Sequence, residues 1–214
     1  MDKERQQEYL ELVEKLINSS SDEELKKILT NNLELLDTGF LHTLKTRAQM
    51  ESEDGIEKAI AAYNAVLEVR TRNDFPYEWA MTQNNLGNAY LARIKGNKAD
   101  NIEQAIVCYE TALEVRTRND FPQDWADTQN ILGGAYLQRI KGNKADNIEQ
   151  AILCCQDTLT VYTRNDFPYE WAAMQYNLGL AYWQRIKGDR ADNIENAINS
   201  YKNVLTARTR NDFP

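Results

Sequence analysis

Thr71-Arg72-Asn73-Asp74-Phe75-Pro76 returns as Thr117 to Pro122, Thr163 to Pro168 and Thr209 to Pro214, each time 46 residues further on. A fixed period of roughly 20 to 50 residues marks a chain built by stacking one supersecondary unit on the next. The fold is therefore to be read from a single unit. Cutting after each proline gives three ungapped repeats: repeat 1 (77–122), repeat 2 (123–168) and repeat 3 (169–214). Upstream, Asp54, Ile56, Glu57, Ala59, Ile60, Tyr63 and Leu67 stand one period before Asp100, Ile102, Glu103, Ala105, Ile106, Tyr109 and Leu113. Residues 54–76 read as a partial repeat, its second helix and junction, and residues 1–53 as a divergent helical amino-terminal cap.

Each repeat reads as two helices. Trp79, Gln83, Leu86, Tyr90 and Ile94 recur at steps of three and four and so share one helical face. Pro76 suits a first helical turn, and Lys95-Gly96 is the expected stop. A second helix is expected to open at Asp100, with Glu103 completing a capping box, and to bury Ile102, Ala105, Ile106, Tyr109, Ala112 and Leu113. No alternating, strand-like run occurs. Gly87, Gly133 and Gly179, with Ala105, Ala151 and Ala197, mark places where paired helices approach closely. Two helices cannot cover both apolar faces alone, so the expectation is an all-α solenoid of stacked antiparallel helix pairs, with about ten helices.

Composition narrows the function classes. The chain carries 25 basic and 33 acidic residues, a net charge of −8. That argues against a general electrostatic grip on nucleic acid or an anionic membrane. No apolar run approaches 18 residues, and the charged start Met1-Asp2-Lys3-Glu4-Arg5 is unlike a signal peptide, which makes a cytoplasmic location the expectation. Cys108, Cys154 and Cys155 cannot all pair and lack a CxxC spacing. Cys155 takes the place of Tyr109 and Tyr201 and reads as core packing.

Leu86-Gly87, Tyr90, Ala105, Tyr109 and Ala112 resemble the tetratricopeptide pattern, as do Leu132-Gly133, Tyr136 and Ala151, and Leu178-Gly179, Tyr182, Ala197 and Tyr201. The family unit is about 34 residues, so these repeats are longer, and Trp79, Trp125 and Trp171 fall four residues ahead of the usual tryptophan. The resemblance implies a right-handed superhelical array that binds a protein or peptide without catalysis. The Arg-Ile-Lys-Gly connectors and Asn-Ile-Glu segments also resemble the elongated repeats of cyanobacterial multi-domain proteins, where such arrays often precede a CHAT peptidase domain. A self-assembling structural array, or the sensing arm of such an effector, is the alternative reading.

No cofactor or metal is expected, and no catalytic residues. His42 is the only histidine and lies far in sequence from any cysteine. The Arg72, Arg118, Arg164 and Arg210 series is expected to pair locally with Asp74, Asp120, Asp166 and Asp212, and Arg93, Arg139 and Arg185 form a second series. On the first helices a variable stripe stands out: Met81, Asn84, Asn88 and Leu91; Asp127, Asn130, Gly134 and Leu137; Ala173, Tyr176, Leu180 and Trp183. By the resemblance it lines the concave groove where partner peptides lie, with Tyr176, Leu180 and Trp183 as anchors and Asn84 and Asn130 hydrogen-bonding a peptide backbone. The chain ends on a repeat boundary, and its last helix, expected over Asn193 to Arg210, keeps Ile194, Ile198, Tyr201 and Leu205. The expectation is a piece of a longer array whose final face pairs with another copy.

Overall fold

The computed structural model describes residues 2–19, 21–50 and 53–207. Among them are ten α-helices, one 3₁₀ turn (Leu33–Leu35) and no strand. The helices are α1 (Lys3–Ile17), α2 (Asp22–Thr30), α3 (Thr38–Met50), α4 (Glu53–Val69), α5 (Pro76–Ala92), α6 (Lys98–Leu113), α7 (Pro122–Gln138), α8 (Lys144–Leu159), α9 (Pro168–Gln184) and α10 (Arg190–Ala207). Consecutive helices pack in pairs, the architecture of an α-solenoid. The last Thr-Arg-Asn-Asp-Phe-Pro junction, with Arg210 and Asp212, lies outside the described residues. The chain divides into two compact units, Met1–Val115 and Arg116–Pro214.

The junction motif makes a tight turn from its own side chains. The Thr71 hydroxyl donates to the Asp74 carboxylate at 2.6 Å and accepts the Asp74 N–H at 3.3 Å. Thr117 and Asp120, and Thr163 and Asp166, repeat this. The aspartates expected to pair with arginine are thus held by threonine. Arg72, freed from that role, hydrogen-bonds Glu114 and lies 5.6 Å over the Trp79 ring. Arg118 and Arg164 lie likewise over Trp125 and Trp171. A proline at the first helical position then opens α5, α7 and α9.

These helices stop earlier than the apolar periodicity suggests. α5 ends at Ala92, and Arg93 is already extended. In extended backbone successive side chains point to opposite sides, so Arg93 and Lys95 reach back to α4 while Ile94 turns outward, 74% exposed. Arg93 binds Glu57 through two bonds of 2.7 and 2.8 Å, and Lys95 binds Asp54 at 3.2 Å. Gly96, at φ +80°, makes the turn that follows. The next helix starts two residues before Asp100, because Asn97 and not Asp100 caps it, accepting from the N–H groups of Ala99 and Asp100. Buried Asn101 closes the connector by donating to the Lys95 carbonyl at 2.9 Å.

The amino-terminal unit has a core of Tyr9, Leu12, Val13, Leu16, Phe40, Leu41 and Leu44 from α1 and α3, continued by Ile60, Tyr63 and Val66 of α4 and Leu86 and Ala89 of α5. In the carboxy-terminal unit, Ile148, Ile152 and Cys155 of α8 pack against Leu178 and Ala181 of α9, and Ala126, Tyr162 and Met174 form a second cluster. Fully burying one such aliphatic side chain contributes about 1.5–3 kcal/mol.

Candidate functional site

The site arises where one repeat departs from its neighbours. Between α5 and α6 the Tyr109 ring lies directly over Gly87: a Cβ there would sit 2.6 Å from Tyr109 Cε1. Between α9 and α10, Tyr201 covers Gly179 in the same way, at 2.7 Å. Between α7 and α8 the ring is missing, because Cys155 stands at that position, and Gly133 instead meets Cys154 Cβ and the Ala151 backbone. The second departure reinforces the first. Tyr109 donates to Asn88 at 2.9 Å, whereas the residue equivalent to Asn88 is Gly134, around which an added Cβ would find nothing within 4 Å.

The result is a groove of about 280 Å³ in the carboxy-terminal unit. Gly133, Gly134 and Cys155 form its floor, α7 contributes Asn130, Leu137 and Gln138, and α9 contributes Asn177, Leu180 and Gln184. No charged side chain lines it. Across it, Asn177 Nδ2 donates to Asn130 Oδ1 at 2.8 Å. That bond uses one donor of Asn177 and one acceptor of Asn130, so the Asn130 amide N–H groups and the Asn177 carbonyl oxygen keep hydrogen-bonding capacity of their own. A peptide group offers the complementary pair, one C=O and one N–H.

The groove holds four residues of the variable stripe, Asn130, Gly134, Leu137 and Leu180, and three wall residues that periodicity did not single out, Gln138, Asn177 and Gln184. Asn177 sits one residue past the stripe, and only its pairing with Asn130 across two helices reveals it. Tyr176 and Trp183, 54% and 53% exposed, stand on the other side of Leu180, where Tyr176 leans on Tyr201 with ring centroids 5.8 Å apart. The Arg190 guanidinium lies 5.2 Å over the Trp183 ring and donates to the Trp183 carbonyl at 2.8 Å. Asp127, exposed on α7, accepts from the Tyr162 hydroxyl at 2.6 Å.

In the amino-terminal unit the stripe meets different surroundings. Asn84 is buried, Met81 packs against the core, Asn88 is engaged by Tyr109, and Leu91 is half-buried. Asn84 is therefore enclosed, although the sequence placed it with the backbone-binding asparagines. Ile194 and Tyr201 are half-buried, and Ile198 and Leu205 are exposed, on α10.

The thiols are packed. Burial pushes Cys155 and Cys108 each up to about 12, far from the thiolate a nucleophile needs. No group of three metal-ligating side chains occurs among the described residues, and no helix among them is long and apolar enough to cross a membrane.

Residues 79–122, which take in most of α5, its connector and α6, match the family model of the tetratricopeptide repeat. No curated protein matches the chain significantly. With that match, and with helix pairs of the same build following it at α7–α8 and α9–α10, the chain is a tetratricopeptide-like repeat protein.

Proposed function

We propose that the chain is a non-catalytic scaffold that holds an extended, uncharged peptide segment of a partner protein in the groove between α7 and α9. A tetratricopeptide-like repeat supports a protein-interaction role in general. What carries the finer reading is the paired exchange at Cys155 and Gly134, which leaves open the space that Tyr109 and Asn88 fill elsewhere. The Asn130–Asn177 pair would fix the peptide backbone, and Leu137 and Leu180 would take an apolar side chain. The uncharged lining selects against acidic or basic side chains, since a charge buried without a partner is costly.

The test refills the groove. Peptides selected from a displayed random library on the whole chain are titrated against the Cys155→Tyr/Gly134→Asn variant. Binding should fall at least tenfold, the loss expected when a central pocket is filled, with helical circular dichroism unchanged. Equal affinity would place the peptide elsewhere. Trp183 and Tyr176 form the exposed aromatic edge of α9, and replacing both by Ala should weaken binding by about 2 kcal/mol.

A further inference from the structure

The groove between α7 and α9 lacks one group that the chain supplies to its other helix pairs. In the pairs α5–α6 and α9–α10 a tyrosine ring lies on the crossing glycine: an added Cβ would stand 2.6 Å from the Tyr109 ring at Gly87 and 2.7 Å from the Tyr201 ring at Gly179. At Gly133 the nearest atoms belong to Cys154 and Ala151 instead, and the glycine borders a cavity together with Gly134 and Cys155. Backbone that carries a ring elsewhere is here presented without one. An apolar cavity of roughly 150 Å³ holds a benzene ring, and this one has about 280 Å³. That is room for a ring together with the peptide group that bears it.

The polar end of such a ring is provided for as well. In the pair α5–α6 the Tyr109 hydroxyl donates to the Asn88 side chain at 2.9 Å. Gly134 has no side chain to offer in that place. Gln138, one turn further on, where the first repeat has Ala92, folds back so that its Nε2 donates to the Gly134 carbonyl at 3.3 Å. Its Oε1 is thereby held beside Gly134 with accepting capacity of its own, as the Asn88 oxygen is for Tyr109. The amide lost at one position is returned from another.

We infer that the groove takes a tyrosine side chain of the bound peptide, its ring on Gly133 and Gly134 between Leu137 and Leu180, and its hydroxyl donating to Gln138 Oε1. This rests on the peptide-holding role proposed above and names the residue that the groove selects. A tyrosine of the partner supplies what Cys155 and Gly134 leave out. It is also uncharged at neutral pH, as a lining without charged side chains requires. Phosphorylation of that tyrosine would bring a charge of about −2 into the groove with no cation among its lining residues to meet it. The same contact is therefore broken by modification of the partner.

The probe is p-cresol, the tyrosine side chain without its backbone, titrated into the whole chain and followed through the NMR amide signals of Gly133 and Gly134. Saturable binding in the millimolar range is expected. Cys155→Tyr, which restores the chain's own ring, should weaken it at least tenfold with helical circular dichroism unchanged. Gln138→Ala should weaken p-cresol roughly fivefold through loss of the hydroxyl's acceptor and leave toluene, which has no hydroxyl, unaffected. Gln138 is exposed on α7, so this arm stands even if the new tyrosine at 155 disturbs the fold. In a second arm, peptides selected on the whole chain from a displayed random library should carry a tyrosine and be displaced by p-cresol. Replacing that tyrosine by alanine, or phosphorylating it, should cost at least tenfold in affinity. Absence of p-cresol binding, or binding indifferent to both Cys155→Tyr and Gln138→Ala, would overturn the inference. Peptides that occupy the groove without an aromatic residue would overturn it too, and leave the peptide-holding role standing. Binding of p-cresol with no peptide retained would instead remove that role and give the site to a free phenol.

Discussion

Around Gly87 and around Gly133 the chain brings together helices of the same build, and it fills the space between them differently. At Gly87 a fully buried tyrosine ring lies on the glycine and ties its hydroxyl to Asn88. At Gly133 the helices approach through Cys154 and Ala151, and the space left by the missing ring opens as a groove. Glycine and alanine at the crossing set how near the helices come, whichever residue sits beside them. The backbone of the pair therefore survives the exchange of tyrosine for cysteine, and the side chain at that one place decides whether the space is core or binding surface.

The sharpest way to break this comparison is to empty both sides. Tyr109→Ala removes a buried aromatic and leaves Asn88 without its donor, and should destabilise the chain by about 3–5 kcal/mol. Cys155→Ala removes one sulfur beside an existing opening and should cost only about 1 kcal/mol. Urea unfolding of the two variants checks this, and similar losses would mean that the space over Gly133 is packed after all. Next in size is the connector. Asn101→Ala leaves the Lys95 carbonyl without its buried donor and should cost about 1–3 kcal/mol, read in the same experiment.

The ion pair between Arg93 and Glu57 comes third and depends on pH. The Arg93 guanidinium beside Glu57 holds its carboxyl below the ordinary value of 4.5, against a smaller opposing push from burial. Because the folded pKa is the lower one, the stabilisation is present in full above the unfolded carboxylate range and is lost as pH falls through the folded value. Glu57→Gln should therefore cost about 1 kcal/mol at pH 7, and the gap from wild type should close as the pH is lowered below about 4.5. Melting curves at pH 7 and pH 3 measure it. Smallest of all, Ile94→Ser should change stability by less than about 0.5 kcal/mol, because Ile94 faces solvent despite falling on the apolar periodicity. A large loss would show that the outward isoleucine is packed.

Ile94 shows where helical periodicity and tertiary structure part. Ile94 fits the step of four after Tyr90, and nothing local forbids another helical turn there. The helix ends because Arg93 and Lys95 find carboxylates on α4, 36 and 41 residues earlier in the chain. The cap at Asn97 rather than Asp100, and the threonine rather than arginine partners of Asp74, Asp120 and Asp166, are errors of a smaller kind. Each involves groups only two or three residues apart, where several polar side chains compete and geometry selects one.

The sequence by itself determined the elements that depend on near neighbours: the two-helix repeat, the prolines that open α5, α7 and α9, the apolar stripes, and the small residues at the crossings. These follow from contacts three or four residues apart, which periodicity records directly. It also displayed the two exceptions that matter, Cys155 where its counterparts are tyrosine, which by itself reads only as core packing, and Gly134 where one counterpart is asparagine. Only the tertiary structure decided that these exceptions fall opposite one another, that Asn177 joins Asn130 across the opening, and that Asn84 is enclosed. A residue's helical face sets the direction of its side chain, whereas cavity, burial and pairing belong to whatever the rest of the chain places in front of it.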